Sequence, residues 1–199
     1  MDKNPQEVAA MFDGVARRYD IVNDLLSLGR TKAWRKAATK VIAPAPGMKI
    51  LDMAAGTGSS SAPLAAAGAD VTAADFSEGM IAAGKKARPD LTFVKADALN
   101  LPFDNNSFDL FTISFGLRNT QNTAKALAEA RRVVKAGGRL VVVEFSSPTF
   151  APFRAIYMNY LMRALPFIAG KTSSNPDAYI YLAVSIRAWP AIKGRARIK

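Results

Sequence analysis

The residues best suited to bind a ligand follow a short apolar stretch at residues 49–53. Asp52 lies near the end of that stretch, and a turn that carries Gly56 and Gly58 comes directly after it. Glycines let a backbone approach a ligand closely, and the free N–H groups of a following helix can bind it. The turn lacks the third glycine of a dinucleotide fingerprint, because Ser61 stands there, and it lacks the lysine of a P-loop. An acidic residue beside such a turn favours a cationic group instead, such as an amine or a sulfonium.

Two more acidic residues follow the next predicted strands. Asp75 closes residues 70–74, and Asp97 follows residues 91–95. A carboxylate at the end of the second strand of an α/β sheet can hold a ribose diol by two hydrogen bonds. Asp97 can accept a hydrogen bond from an adenine amino group. The carboxyl ends of parallel strands meet at one edge of the sheet, so the three carboxylates together predict a nucleoside site there.

The chain has no histidine and no cysteine among its 199 residues. This composition excludes disulfide bonds, zinc sites that use these ligands, and catalysis by a cysteine or histidine nucleophile. It also removes the side chain that most often acts as a general base. We therefore expect a site without a metal, whose chemistry relies on alignment, exclusion of water and fixed charges.

Alternating strand-like and helix-like segments must position these residues. Five apolar strands are predicted, at residues 49–53, 70–74, 91–95, 108–114 and 139–145. Three helices are predicted between them, at residues 59–67, 77–87 and 122–134, the last with Ala124, Leu127, Ala128 and Ala130 facing inward. Such alternation is typical of a parallel sheet covered on both faces. The predicted fold class is therefore α/β, a doubly wound, Rossmann-like and mainly parallel sheet of about five strands.

Helical segments flank this sheet on both sides in the sequence. Four further helices are predicted, at residues 5–19, 34–42, 152–165 and 176–187. We expect a single domain over residues 1–199. Its expected parts are a helical cap at 1–45, a ligand-binding core at 46–146, and a second helical cap with a basic tail at 147–199.

Taken in order, the turn and the three carboxylates resemble class I S-adenosylmethionine-dependent methyltransferases. Longer stretches are similar to the menaquinone/ubiquinone biosynthesis C-methyltransferase family. These stretches are residues 11–29 with Trp34, LPFDNNSFD at 101–109, ISFGLRN at 113–119, VEFS at 143–146 and YIYLAVSI at 179–186. The resemblance implies C-methylation of a polyprenylated quinol ring, with demethylmenaquinol as the expected substrate.

The resemblance also assigns cofactor contacts. Those it implies for S-adenosyl-L-methionine are Asp52, Gly56, Thr57, Gly58, Asp75, Asp97, Ala98 and Ser114. Asp52 and the glycine turn are expected to bind the methionine part. Asp75 is expected to bind the ribose, and Asp97 with Ala98 the adenine.

Methyl transfer to a quinol ring carbon needs an aligned nucleophile and a neighbouring hydroxyl that loses its proton. Four residues are expected to serve this chemistry: Arg118, Asn119, Tyr19 and Asp20. We hypothesise that Arg118 and Asn119 orient the quinol oxygen, with the guanidinium as a fixed positive charge. Tyr19 and Asp20 would close the site, and either of them or a positioned water could act as the base. The alternative interpretation leaves Arg118 in a structural ion pair and Tyr19 in packing.

The net charge of +11 comes in part from the end of the sequence. Five basic residues and no acidic residue occupy the last 13 positions: Arg187, Lys193, Arg195, Arg197 and Lys199. We interpret this segment as solvated and expect no nucleic-acid partner, since no nucleic-acid motif accompanies it.

An apolar helical stripe occupies residues 150–170. Because the implied substrate carries an isoprenoid tail, we expect a hydrophobic channel or a membrane-facing lid there. Neither a signal peptide nor a spanning helix is predicted, so we expect a cytoplasmic protein with a peripheral contact at the inner face of the membrane. A homodimer is left open.

The resemblance ends at about Pro190, where the family continues with a helix and two strands while this sequence continues AIKGRARIK. We therefore expect a five-stranded sheet in which residues 139–145 form an uncovered edge strand. Two alternatives to a quinol methyltransferase stay open at this stage. One is a methyltransferase of another small molecule, and the other is a cofactor-binding or scaffold protein without turnover.

Overall fold

A computed structural model of the protein describes residues 5–13, 27, 29–146, 148, 150–164, 167, 170 and 177–189. In chain order the elements are α1 (Pro5–Asp13), α2 (Arg30–Ile42), β1 (Lys49–Met53), α3 (Ser61–Ala66), β2 (Asp70–Asp75), α4 (Glu78–Ala87), β3 (Thr92–Lys95), β4 (Phe108–Ser114), a 3-10 helix (Leu117–Asn119), α5 (Thr123–Val133), β5 (Val134–Val143), α6 (Ala151–Asn159), a π-helix (Tyr160–Ala164) and α7 (Asp177–Ala188).

The five strands form one parallel sheet in the order β3-β2-β1-β4-β5. The central strand β1 is apolar on both faces, and Ile50 and Leu51 are fully buried. The chain moves outward from β1 through β2 to β3, then crosses to β4 on the other side. Open α/β sheets bind ligands at such a reversal, outside the carboxyl ends of the strands. The predicted fold class is confirmed.

Helices cover both faces of the sheet. One core cluster contains Ile50 of β1, Ile42 of α2 and Leu64 of α3. A second cluster contains Leu51 of β1 and Ala130 of α5. Successive residues of a strand point to opposite faces, so the apolar run of β1 supplies both clusters.

The helix α4 begins where the sequence predicts. The Ser77 side chain accepts a hydrogen bond from the Met80 N–H at 3.0 Å, which satisfies one free donor of the first turn. Asn122 caps α5 in the same way, through the Lys125 N–H at 2.9 Å. These caps mark the first turns of the two helices, which follow β2 and β4 in the chain.

The buried face of α5 differs from the prediction. Ala126, Ala130 and Val133 are buried, whereas Ala124 and Ala128 are exposed. The prediction was wrong for Ala124 and Ala128, because alanine has too little apolar surface to indicate which helix face is inward.

The edge strand β5 also differs from the prediction. It runs from Val134 to Val143, so it begins before and ends before the strand predicted at residues 139–145. The pairing with β4 goes from Phe108–Val134 directly to Leu110–Arg139, an irregularity that accommodates the extra residues. The predicted edge position is confirmed, and no described residue pairs with the outer side of β5.

The flanking helices pack on one another. A cluster of Met80 of α4, Tyr179 and Ile186 of α7 includes Phe12 of α1 and Tyr157 of α6 at its margin. These contacts bring α1 and α7 to the carboxyl edge of the sheet. Over the described ranges, no helix is both long enough and apolar enough to cross a membrane.

Candidate active site

A cavity of about 1210 Å³ lies at the carboxyl ends of the strands. Its wall combines the loops after β1, β2, β3 and β4 with side chains of α1, α2, α6 and α7. Eight predicted site residues line it: Gly56, Thr57, Asp75, Asp97, Ala98, Ser114, Arg118 and Asn119. Asp52 and Gly58 are described but do not line the cavity, and Tyr19 and Asp20 lie outside the described residues.

The cavity has two chemically distinct parts. We call the region around Asp52, Asp75 and Asp97 the carboxylate half. The aromatic half is the part lined by Trp34, Phe115, Phe145, Tyr157 and Tyr181.

Asp75 ends β2 and holds the turn after β1. Its two oxygens accept the N–H groups of Gly56 at 2.8 Å and Ser77 at 2.9 Å. Burial raises the pKa of Asp75, and these backbone hydrogen bonds oppose that rise. Each carboxylate oxygen can accept a further hydrogen bond, which is the capacity that a diol requires.

Asp52 is fully buried beside the start of α3. One oxygen, Oδ2, accepts the hydroxyls of Ser60 and Ser61, both at 2.7 Å. The other, Oδ1, has no hydrogen-bond partner, and burial raises the pKa of Asp52 to about 6. Its neighbour on β4, Thr112, lines the cavity with a buried hydroxyl that also has no partner. Two unsatisfied oxygens therefore lie on one face of the sheet, at adjacent strands.

Asp97 follows β3 and is half-buried. Its Oδ1 accepts the N–H of Leu99 at 2.8 Å, which fixes the loop around the buried Ala98. Ser114 ends β4 and lines the same cavity. The structure thus brings the predicted adenine contacts, Ser114 and Asp75 to one cavity.

The turn after β1 depends on backbone conformations that favour glycine. Gly56 and Gly58 have φ angles of 58° and 82°, and a side chain at Gly58 would come within 2.8 Å of the Phe93 ring. Gly56 has open space beside it, and Thr57 is held by a 3.1 Å hydrogen bond with Ser59. Gly56 therefore leaves room beside the backbone, while Gly58 permits packing against β3.

The loops after β1 and β4 are in direct contact. A Cβ atom at Gly116 would lie 2.4 Å from the Cβ of Ala54, so only glycine permits this approach. Ala54 and Phe115 both adopt left-handed conformations, with φ angles of 56° and 59°. Such conformations are uncommon outside glycine and cluster at functional sites.

Helix α1 is attached to the carboxylate half through Asp13. Its carboxylate accepts the Ser77 hydroxyl and, at 2.8 Å, the Gly79 N–H. Val8 and Phe12 of the same helix line the cavity. Asp13 therefore holds α1 over the strand ends beside Asp75.

Arg118 forms a buried ion pair with Glu144. The Nη1 to Oε1 distance is 2.8 Å, and the two side chains are only 4% and 1% exposed. The Arg118 backbone N–H donates to Glu144 Oε2 at 3.1 Å, and Nε donates to Ser185 on α7 at 3.2 Å. The guanidinium also lies 5.1 Å from the centre of the Phe145 ring. The geometry thus matches the structural ion pair of the alternative interpretation, although Arg118 still lines the cavity.

Three aromatic rings from separate elements meet in the aromatic half. Phe115 and Phe145 lie 4.7 Å apart between ring centres, and Trp34 of α2 lies 5.9 Å and 6.0 Å from them. Such tilted and edge-on arrangements are favourable for aromatic pairs. They give this wall an apolar, aromatic surface that a ring-shaped ligand can contact.

The sequence matches the ubiE/COQ5 methyltransferase family over residues 1–198. The chain belongs to this family. It is 60% identical over 190 residues to the demethylmenaquinone methyltransferase of Renibacterium salmoninarum, covering 96% of this chain and 80% of that relative. It is 54% identical over 198 residues to the protein of the same name from Beutenbergia cavernae, covering 100% of this chain and 82% of that relative. The suspected family is confirmed, and the protein is a methyltransferase.

Solved structures confirm the fold of this methyltransferase. YcgJ protein from Bacillus subtilis has a TM-score of 0.57 at 21% identity, covering 66% of this chain and 59% of that chain. A SAM-dependent methyltransferase from Aquifex aeolicus has the same TM-score at 19% identity, covering 66% and 74%.

Sequence reasoning missed three features of this methyltransferase. It quoted Glu144 in a motif without giving it a role, although its side chain is only 1% exposed and a buried carboxylate requires a partner. It did not connect Asp13 with α4, because that contact joins residues far apart in the sequence. Tyr181, whose hydroxyl is buried without a hydrogen-bond partner among the described residues, was quoted within YIYLAVSI but was given no role.

Proposed function

We propose that the protein transfers a methyl group from S-adenosyl-L-methionine to a ring carbon of demethylmenaquinol. The observation that supports this most directly is one cavity that joins two strand-end carboxylates, Asp75 and Asp97, to an aromatic wall. The names of the relatives supply the substrate class. Neither alternative from the sequence analysis is favoured, because relatives named demethylmenaquinone methyltransferase match nearly the whole chain.

The residues of the carboxylate half fit the cofactor. Unpaired oxygens at Asp52 and Thr112 suit an ammonium group, and the free acceptor capacity of Asp75 suits a ribose diol. Asp97 and Ala98 would hold the adenine, with Gly56 and Thr57 of the turn beside the rest of the molecule. When bound, the cofactor supplies an electrophilic methyl group on a sulfonium.

The aromatic half suits the acceptor ring. Trp34, Phe115 and Phe145 present apolar faces, and Arg118 with Asn119 forms the polar end of the same wall. The closed ion pair holds these groups in place, so alignment and exclusion of water can favour transfer to carbon. The roles of Tyr19 and Asp20 in closing the site stay predictions.

We further propose that α6 contacts an anionic membrane surface. Phe150, Phe153 and Ile156 are exposed large apolar residues, and Arg154 and Arg163 are exposed cations beside them. Phe153 and Ile156 also line the cavity, so an isoprenoid tail could enter from the bilayer along this helix. A cytoplasmic location, a homodimer and the absence of a nucleic-acid partner stay predictions.

Turnover tests the proposed reaction. Purified protein with S-adenosyl-L-methionine and demethylmenaquinol in detergent should yield methylated quinol and S-adenosylhomocysteine in equal amounts, measured by mass spectrometry. The oxidised quinone is the control, because its ring carbon is not nucleophilic and should give no product. No product from the quinol would overturn the proposed function.

Sedimentation with vesicles tests the membrane contact. Binding to vesicles that contain phosphatidylglycerol should fall several-fold when Phe150 and Phe153 are changed to serine. Ile180→Ser is the matched control, because Ile180 is an exposed apolar residue of α7 that does not line the cavity. An equal loss in both variants would contradict a contact through α6.

A further inference from the structure

Two polar groups of the aromatic half have no hydrogen-bond partner among the residues that the structure describes. They are the hydroxyl of Tyr181 and the side-chain oxygen Oδ1 of Asn119, and both atoms are buried. Both residues line the cavity. A buried polar group without a partner costs about 1–3 kcal/mol, and a ligand that supplies the missing hydrogen bond removes that cost.

Both groups lie beside Arg118. Asn119 follows it directly in the 3-10 helix. On α7, Tyr181 lies one turn before Ser185, whose hydroxyl accepts from Arg118 Nε at 3.2 Å, so the two side chains share a helix face. Burial raises the pKa of Tyr181, and the charge of Arg118 partly opposes the rise. Tyr181 is therefore a neutral phenol at physiological pH, able to donate a hydrogen bond near a cation.

Arg118 uses two of its three guanidinium nitrogens within the protein. Nη1 donates to Glu144 and to the Phe115 carbonyl oxygen, and Nε donates to Ser185. Glu144 offsets its charge at 2.8 Å. Beside this ion pair, the Tyr181 hydroxyl and Asn119 Oδ1 are a buried donor and a buried acceptor without a hydrogen-bond partner among the described residues, and a phenolic hydroxyl needs one of each.

We propose that the Tyr181 hydroxyl donates a hydrogen bond to the quinol oxygen next to the methylated carbon, while Asn119 Oδ1 accepts the hydrogen of that hydroxyl. This assignment rests on the proposed function. Arg118 and Glu144 are positioning residues that hold Asn119 and α7 in place. Tyr181 is then a catalytic residue that stabilises negative charge on the oxygen as the ring becomes nucleophilic.

The step balances without any further reactant. The ring carbon forms a bond to the methyl group as the sulfur–methyl bond breaks, and the sulfonium becomes a thioether. The quinol hydroxyl releases its proton to water, and its electron pair moves into the ring. Loss of the ring C–H proton restores the aromatic ring, and reprotonation of the oxygen restores the hydroxyl, so one proton is released overall.

Other ionisable groups surround α7 and bear on any pH dependence. They lie on the elements packed against α7, on the chain after β5 and on α7 itself. They include Glu7 and Asp13 of α1, Arg118, Glu144, Tyr157 of α6, Tyr160 and Arg163 of the π-helix, and Tyr179 and Arg187 of α7. Arg118 also lowers the burial-raised pKa of Tyr157. A single Tyr181 substitution leaves all of these groups in place.

A coloured phenol tests the assignment without turnover. The probe is 4-nitro-1-naphthol, added to the protein with S-adenosylhomocysteine, and its absorbance gives the pKa of the bound phenol. Wild type should lower that pKa, and Tyr181→Phe should raise it again by about one unit. Tyr160→Phe is the matched control, because Tyr160 lines the same cavity but its pKa is raised by burial alone. Failure of wild type to bind the probe or lower its pKa, or an unchanged value in Tyr181→Phe, overturns the assignment.

A second substitution guards against a folding defect. Replacement of Tyr181 by 3-fluorotyrosine keeps its shape and makes the phenol a stronger donor. The pKa of the bound probe should then follow the order fluorotyrosine, tyrosine, phenylalanine, from lowest to highest. A structural role for Tyr181 predicts no such order.

Turnover separates the two proposals. Tyr181→Phe should lower kcat about 10-fold to 100-fold, leave KM for S-adenosyl-L-methionine unchanged, and shift the kcat–pH profile to higher pH by about one unit. A wild type that shifts the probe pKa but leaves demethylmenaquinol unmethylated refutes the proposed function alone. If Tyr181→Phe methylates demethylmenaquinol as fast as wild type does, the Tyr181 assignment alone is refuted.

Discussion

The carboxylate half and the aromatic half of the cavity satisfy their polar groups over different distances along the chain. Asp97 uses an N–H two residues away, Asp52 uses hydroxyls eight and nine residues away, and Asp75 uses an N–H 19 residues away. Arg118, by contrast, is held by Glu144 at a separation of 26 residues and by Ser185 at 67. One half is built within successive strand–loop units, and the other depends on the closed tertiary fold.

The two halves also differ in charge. No cation contributes to the shifted pKa values of Asp52 and Asp75, and the neighbouring carboxylates of Asp75 and Asp13 add to the rise that burial causes in them. Arg118 is paired with Glu144 at 2.8 Å. The carboxylate half therefore keeps its negative charge for a cationic ligand, whereas the aromatic half neutralises its own charge and presents an uncharged wall.

Removing Glu144 should have the largest effect, because it breaks the charge balance of the aromatic half. Glu144→Ala leaves Arg118 buried without a counter-ion and should lower the free energy of unfolding by about 3–5 kcal/mol, measured by urea denaturation. The double variant Arg118→Met with Glu144→Leu should recover much of this loss. Unchanged stability of the single variant would show that Arg118 does not depend on Glu144.

Asp52 should make stability depend on pH in the carboxylate half. Its pKa is about 6 in the folded protein against 3.8 ordinarily, so the folded chain binds this proton more tightly than the unfolded chain does. The contribution of Asp52 to stability is thus greatest below about pH 4 and falls as the pH rises through about 6. From about pH 3 to about pH 8, wild type should lose about 3 kcal/mol relative to Asp52→Asn. Parallel urea curves for the two proteins would contradict this.

Asp75 should control cofactor affinity more than folding. Asp75→Ala removes the acceptor for the Gly56 and Ser77 N–H groups, so the affinity for S-adenosylhomocysteine should fall about 10-fold to 100-fold by calorimetry. Asp70→Ala is the control, since Asp70 is an exposed acid at the opposite end of β2. Equal losses would mean that net charge, and not the position of Asp75, sets the affinity.

An exposed ion pair should show the smallest effect. Lys95 of β3 lies 2.5 Å from Glu78, but the two side chains are 57% and 73% exposed. Lys95→Ala should change the free energy of unfolding by less than about 0.5 kcal/mol, because solvent screens such pairs. A loss close to that of Glu144→Ala would remove the distinction between buried and exposed pairs in this protein.

The sequence predicts the carboxylate half well, because its information is local. Five strands, the turn at Gly56, and the caps at Ser77 and Asn122 all follow from short patterns. Asp75 and Asp97 reach the cavity wall because each follows the strand that positions it.

The aromatic half escapes such reasoning. The sequence leaves two roles open for Arg118, a fixed positive charge and a structural ion pair, and only the fold shows Glu144 beside it, since β4 and β5 must pair before the two can meet. Tyr181 reaches the cavity only because α7 packs against the 3-10 helix, and no short pattern in the sequence predicts that packing. The prediction that Ala124 and Ala128 face inward is wrong for another reason, because small side chains do not indicate which helix face is buried.

The contact between Ala54 and Gly116 has a consequence for redesign. It is a point where the turn after β1 touches the loop that leads to Arg118, with no room for even one methyl group. Exchanging α6 for another helix leaves this contact and the residues of α7 intact, so new acceptor rings are best sought there. Changing the loop after β4 cannot be done independently, since any residue larger than glycine at position 116 pushes on the turn at Gly56. The methyltransferase should thus accept many substitutions for new substrates in the helix that covers the site, but few where the loops after β1 and β4 meet.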